Sequence, residues 1–192
     1  SKLYGNARYI FAVSTYALKK NREAQKVLED LREWMAKTGK GNRQLETLVS
    51  MNLARMMFVE KRYQAAHAEY MKVPKDHPLW VPALVEQGWT QLNIDDSAGA
   101  IGNMYSLHSP YFKSVFMPDS WVVRTIGYID ICQYGDAYRT LTKLEALHTG
   151  HMNAINAYSE KMKSSDQYYA TVRNYIKGKS DQGVDGLPAQ II

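Results

Sequence analysis

Leu53–Leu107, LARMMFVEKRYQAAHAEYMKVPKDHPLWVPALVEQGWTQLNIDDSAGAIGNMYSL, carries one set of landmarks twice. Ala54 and Gly88 stand 34 residues apart, and so do Ala66 and Ala100, Tyr70 and Met104, and Val73 and Leu107. Four coincident pairs at one interval are the mark of an internal repeat. Apolar residues within each copy recur three and four apart, the period of a helix with one buried face. Val73-Pro74 closes the first copy, because proline cannot continue the hydrogen-bond ladder and drives the residue before it out of helical conformation. Pro82 falls in the first turn of the next helix, where a missing amide costs nothing.

The register extends in both directions. Ala24, Leu28 and Leu31 precede Ala66, Tyr70 and Val73 by 42 residues, eight more than the interval. The surplus fits the loop Lys37-Thr38-Gly39-Lys40-Gly41-Asn42, whose two glycines break helical periodicity. Ala137, Leu141 and Leu144 follow Ala100, Met104 and Leu107 by 37 residues, three more than the interval. Those extra residues belong to the proline-bounded aromatic loop His108–Pro118. Asp119 or Ser120 is then expected to cap a helix carrying Trp121, Ile126 and Tyr128.

Four helix pairs are therefore predicted. They begin with Tyr4–Leu18 and the helix of Ala24, continue with Arg43–Val59 and Tyr63–Val73, and run on from Leu79 to Leu107. The fourth carries Trp121 and Ala137. A closing helix from Met152 to Lys177 sets Ile155, Tyr158, Met162, Tyr169, Val172 and Ile176 at helical spacing, with no partner after it. Residues 1–177 form the repeat domain in this reading. Residues 178–192, Gly-rich and polar until Leu187-Pro188-Ala189-Gln190-Ile191-Ile192, form a tail or linker.

These landmarks resemble the tetratricopeptide repeat, in which a small residue on the first helix of a pair meets a small residue on the second. Ala54 with Ala66, Gly88 with Ala100 and Thr125 with Ala137 match that contact, and Tyr63 and Tyr134 match the aromatic residue three before it. The resemblance covers roughly residues 4–177. It implies an all-α fold, a right-handed α-solenoid of about four such pairs plus a C-terminal closing helix, and a non-catalytic protein-interaction scaffold. The first pair departs from the pattern at Thr15, and both outer junctions are irregular in spacing. VPKDHPLW, SLHSPYF and PDSWVVR also resemble repeat proteins of bacterial cell envelopes, including gliding-motility lipoproteins.

In such repeats the first helices line a concave groove. The positions expected there are Tyr9, Val13 and Tyr16; Met51, Arg55 and Phe58; Val85, Trp89 and Leu92; and Val122, Ile126 and Ile129. Exposed apolar patches beyond a few hundred Å² usually mark contact sites. Two occupants fit: the closing helix or tail folded back as core, or an apolar segment of a protein or peptide partner. Tyr111, Phe112 and Phe116 of the aromatic loop form a second expected contact. A chaperone-type carboxylate clamp is not expected, because Tyr9, Val13, Pro82 and Glu86 stand where it needs cationic or amide side chains and only Asn52 matches.

Composition bounds the alternatives. The 192 residues are 45% hydrophobic and 22% charged with six prolines, a composition that argues against disorder over most of the length and allows a sizeable core. The net charge of +5 is mild and dispersed. Lys19, Lys20 and Arg22, Lys37, Lys40 and Arg43, and Lys161, Lys163, Arg173 and Lys177 leave a nucleic-acid-binding helical repeat as the second reading, but most tyrosines fall at helical core spacings and acidic residues alternate with the bases on the second helix. No run of about eighteen apolar residues appears, so no membrane-spanning helix is expected. The chain starts at Ser1-Lys2-Leu3, so a signal peptide or lipid-attachment cysteine would lie outside it. Periplasm or outer-membrane association is expected ahead of cytoplasm.

No catalytic residue, cofactor or metal site is expected. His148-Thr149-Gly150-His151 reads as a solvated helix junction, since two histidines without a cysteine or carboxylate pair make a weak site. Cys132, the single cysteine, reads as a half-buried thiol in the turn of the fourth pair. Gly39-Lys40-Gly41-Asn42 lacks the spacing and the hydroxyl residue of a phosphate-binding loop.

Overall fold

The computed structural model describes residues 2–112, 115–162 and 164–178, with the side chain of Lys2 outside that description. Among the described residues the chain is helical throughout its ordered elements: α1 Lys2–Ala17, α2 Asn21–Thr38, α3 Arg43–Val59, α4 Tyr63–Tyr70, α5 Trp80–Leu92, α6 Ser97–Leu107, α7 Pro118–Asp130, α8 Tyr134–Lys161 and α9 Ser165–Gly178. A short 3₁₀ turn, Pro110–Phe112, lies in the aromatic loop. Two compact units result, Ser1–Asn103 and Met104–Ile192. The fold is all-α and TPR-like.

Each pair turns in the same way. Lys19, Lys61, Asp95 and Cys132 have φ near +60°, the left-handed region that L side chains rarely adopt. They are spaced 42, 34 and 37 residues apart, the intervals of the sequence landmarks. The next residue in each turn donates its amide back to the helix just ended: Lys20 to Thr15, Arg62 to Met57, Asp96 to Gln91 and Gln133 to Tyr128, at 2.8–3.2 Å. This six-to-one bond satisfies a carbonyl that the helix end would otherwise leave unpaired. In the third turn Asp96 also caps α6, accepting the Gly99 amide at 3.0 Å.

The repeat landmarks are the core. Ala12, Ala24, Ala54, Ala66 and Ala100 are fully buried, Gly88 and Ala137 nearly so, and Thr125 partly. Small residues there let paired helices approach closely, so Leu28, Leu31, Met51, Leu53, Tyr70 and Val73 pack into one continuous cluster in the first unit. A polar clamp crosses it. Arg32 of α2 grips Glu69 of α4 with two bonds, at 2.8 and 2.6 Å, and reaches Ser50 of α3 at 3.2 Å. Burial alone would raise the Glu69 carboxyl, but hydrogen bonds from Arg32 and Lys72 hold it below the ordinary carboxylate range.

Several expectations change. Asp119 and Ser120 do not cap α7: Met117 is the cap residue and Pro118 opens the helix, where its fixed φ is already helical. No junction falls at His148–His151. α8 runs through them to Lys161, because Gly150 lowers helix propensity without breaking the hydrogen-bond ladder. The single closing helix from Met152 to Lys177 is consequently two pieces, the end of α8 and α9. Ser164 starts the second piece, accepting the Gln167 amide at 3.3 Å in a Ser-x-x-Gln arrangement. α4 stops at Tyr70 rather than Val73. Cys132 is exposed rather than half-buried, since its turn position directs it to solvent. The tail beyond Gly178 lies outside the described residues.

Candidate functional site

The expected groove residues meet most closely in the first unit. Arg55 and Phe58 lie one turn apart on α3, Glu86 and Trp89 one turn apart on α5, and Tyr70 ends α4. With Val59 they line a cleft of about 400 Å³. Phe58, Val59 and Trp89 supply apolar walls. Phe58 is braced by the edge of Tyr63, ring centroids 5.3 Å apart.

The polar wall is a locked ion pair. Arg55 Nε donates to Glu86 Oε2 at 2.8 Å and Nη2 to Oε1 at 2.6 Å, the planar two-bond match of guanidinium to carboxylate. Tyr70 Oη, on a buried side chain, donates to the same Glu86 Oε2 at 2.9 Å. Burial, and then Glu86, push the Tyr70 hydroxyl far up, so it remains a donor. The bond to Glu86 also raises Arg55. The cleft thus offers apolar contact beside a polar group whose hydrogen bonds are already made.

The other expected residues are distributed differently. Tyr9 packs on the core and accepts a hydrogen bond from Asn52 Nδ2 at 2.9 Å. Tyr16 packs on the core as well, Val13 is exposed and Leu92 is half-buried. Met51 and Val85 are buried and present no surface, because the helices close over that side of the small-residue contact. Val122 and Ile129 are exposed on α7, and Ile126 is half-buried. Among all of these, Arg55, Phe58 and Trp89 share the cleft. Val59, Tyr70 and Glu86 were missed as lining. Glu86, whose acid counted against a carboxylate clamp, carried the usable signal: an acidic residue on the next first helix, opposite Arg55.

The second unit holds a cleft of about 500 Å³ around the aromatic loop. Phe112 and Phe116 line it with His108, Trp121, His148 and His151, while Tyr111 points outward. His108 stacks on Trp121 with centroids 3.6 Å apart and planes 11° apart. Ser120 Oγ donates to the Met117 carbonyl at 2.5 Å, so it accepts from His108 Nε2 at 2.9 Å. His108 Nδ1 accepts from Arg124 Nη1 at 3.0 Å. That arrangement requires a neutral imidazole. Burial first, then the charges of Arg124 and Lys143, push the ring down to about 4.

Arg124 anchors this wall. Its guanidinium lies 3.5 Å from the centroid of the Tyr105 ring, and Tyr128 donates to Tyr105 Oη at 2.9 Å. On α8, His148 and His151 each meet the edge of Phe116 at 5.3 Å. Burial and His151 lower His148. The two histidines share a helix face by their three-residue spacing, a signal available once α8 is read as continuous. No group of three or more metal-ligating side chains occurs among the described residues.

No family model matches the sequence, and no curated protein matches it. A solved structure of a mutant of MamA, a TPR-like protein, is similar to it with a TM-score of 0.58 at 13% identity. The match covers 74% of this chain and 77% of that one. The likeness is one of fold.

Proposed function

We propose that the chain is a non-catalytic protein-interaction scaffold that receives an apolar peptide segment in the cleft of Arg55, Phe58, Val59, Tyr70, Glu86 and Trp89. The convergence of Arg55, Phe58 and Trp89 on one cleft carries this reading. Aromatic walls supply contact area at low conformational cost, and the Arg55–Glu86–Tyr70 network already has its hydrogen bonds made, so the partner does not have to supply them. The aromatic loop, with Phe112 and Phe116, is the second contact.

Charge pairing supports protein over nucleic acid as the partner. Of the basic residues that suggest a nucleic-acid surface, Lys20, Lys37 and Arg43 each pair with a carboxylate of the chain, which weakens the field they could offer phosphates. The sequence likeness of VPKDHPLW, SLHSPYF and PDSWVVR supports placing the scaffold in a bacterial envelope assembly, at the periplasm or outer membrane. No helix among the described residues is long and apolar enough to cross a membrane.

The test is selection of peptides from a random displayed library on the full chain, followed by titration of the selected sequences. Apolar consensus peptides are expected, with binding weakened at least about tenfold by Phe58→Ala and Trp89→Ala while the circular dichroism spectrum is retained. Selected peptides that bind both variants as they bind the native chain would place the contact elsewhere. Repeating the titration on a chain ending at Gly178 asks whether the tail competes: tighter binding after truncation identifies it as an occupant.

A further inference from the structure

As a sequence, His148-Thr149-Gly150-His151 offers two histidines and no third ligand. The fold adds geometry to them. α8 runs unbroken through Gly150, so the three-residue spacing sets both rings on one side of the helix. Their Nδ1 atoms stand 3.5 Å apart. Phe116 packs at a steep angle against both imidazoles, at 5.3 Å between centroids in each case. The pair is therefore braced by one shared ring, and both histidines line the cleft of about 500 Å³ in the second unit.

At 3.5 Å the two nitrogens are too far apart for a strong hydrogen bond between them. The separation fits a different bond. A metal ion bonded to two imidazole nitrogens at about 2.05 Å spans about 3.3 to 3.4 Å between them when its angles are tetrahedral, and about 2.9 Å when they are right angles. The observed 3.5 Å corresponds to an angle of about 117° at that bond length. A tetrahedral ion fits with a shift of about 0.1 to 0.2 Å, whereas a square-planar or octahedral ion has to draw the nitrogens together by about 0.6 Å.

We propose that His148 and His151 bind one zinc ion through their Nδ1 atoms, with water from the cleft in the two remaining tetrahedral positions. Both rings then carry their proton on Nε2. The Nε2 atom of His148 is buried without a hydrogen-bond partner, so no acceptor behind that ring strengthens it as a ligand, and the site binds zinc in the micromolar range rather than tightly. Glu145, one turn before His148, adds an anionic side chain by the same three-residue spacing. An ion held on both sides of Gly150 ties together the turn of α8 with the least helix propensity. The site shares no residue with the peptide cleft of the first unit.

Isothermal titration of the full, untagged chain with zinc sulfate tests this. One ion per chain is expected, with affinity falling at least about tenfold in His148→Gln and in His151→Gln while the circular dichroism spectrum is retained. Cys132→Ser and His77→Ala, which remove other zinc-binding side chains, are expected to bind zinc as the native chain does. Zinc should also raise the melting temperature of the native chain and leave that of His148→Gln unchanged, because only an ion held by the folded state stabilises it. Cobalt(II) in place of zinc should give the strong visible absorption of a tetrahedral site. Absence of binding up to about 1 mM zinc overturns the proposal. So does binding that survives in both histidine variants, binding lost in Cys132→Ser, or a weak octahedral cobalt spectrum.

Discussion

The two clefts are built from opposite kinds of polar group. In the first unit the polar wall is an ion pair, Arg55 with Glu86, closed by the Tyr70 hydroxyl. In the second it is a neutral imidazole, His108, stacked on Trp121 and held between Arg124 and Ser120. The ion pair has its hydrogen bonds made on both sides. The histidine has to stay neutral between a cation and a hydroxyl, because protonation would put a donor where Nδ1 now accepts.

That contrast can be broken by experiment, beginning with the largest effect. Trp121→Ala removes the ring on which His108 lies and should cost about 3 kcal/mol, measured by urea unfolding followed by circular dichroism. Glu86→Ala should cost about 2 kcal/mol in the same assay, because the buried Tyr70 hydroxyl and the Arg55 guanidinium lose their shared acceptor. Glu86→Gln, which retains an oxygen for Tyr70, should cost roughly half as much. Equal losses for the glutamine and alanine variants would mean that the charge matters rather than the acceptor.

Acidification should separate the units. His108 has a lower proton affinity folded than unfolded, so its stabilisation is complete above about pH 6.5 and is lost as pH falls toward about 4. Solvent reaches part of the ring, which limits the expected loss at pH 5 to about 1 kcal/mol. Hydrogen exchange resolved by peptide should show protection falling around α7 but not at the cleft of α3 and α5, whose lining includes no histidine. His108→Gln should remove the pH dependence. If it persists in that variant, His148 is the next group to examine, since its shift has the same sign.

The smallest expected effect compares the turns. Lys61→Gly in the first unit and Cys132→Gly in the second each relieve a left-handed side-chain residue and should each stabilise by about 0.5 kcal/mol, once the added freedom of the unfolded chain is subtracted. Matching melting shifts would show that the two turns carry the same strain despite their different surroundings.

Much of the fold was legible in the residues. The predicted span Arg43–Val59 is the observed α3, and Ala54, Ala66 and Ala100 are fully buried as the small-residue contact requires. Local signals failed where they competed. Asp119 and Ser120 resemble caps, but Met117 is the cap residue and Pro118 starts the helix two residues earlier than an Asp119 cap would. His148-Thr149-Gly150-His151 resembles a junction, but one glycine is too small a penalty to end a long helix. The clefts were less legible than the core. Phe58 and Trp89 could be placed by counting from Ala54 and Gly88, whereas Glu86 joined Arg55 only after α3 and α5 were set side by side.

By itself the sequence determined the repeat, its three intervals and the residues at each small-residue contact, because these follow from helical period and from the space two close helices leave. Only the tertiary structure decided which apolar positions are sealed and which remain open. Met51 and Trp89 were both expected in one groove, and Tyr70 and Leu141 occupy one register position, yet one member of each pair is buried and the other is not fully covered. Periodicity gives a residue its direction around a helix. Whether another helix stands in that direction depends on how the pairs stack.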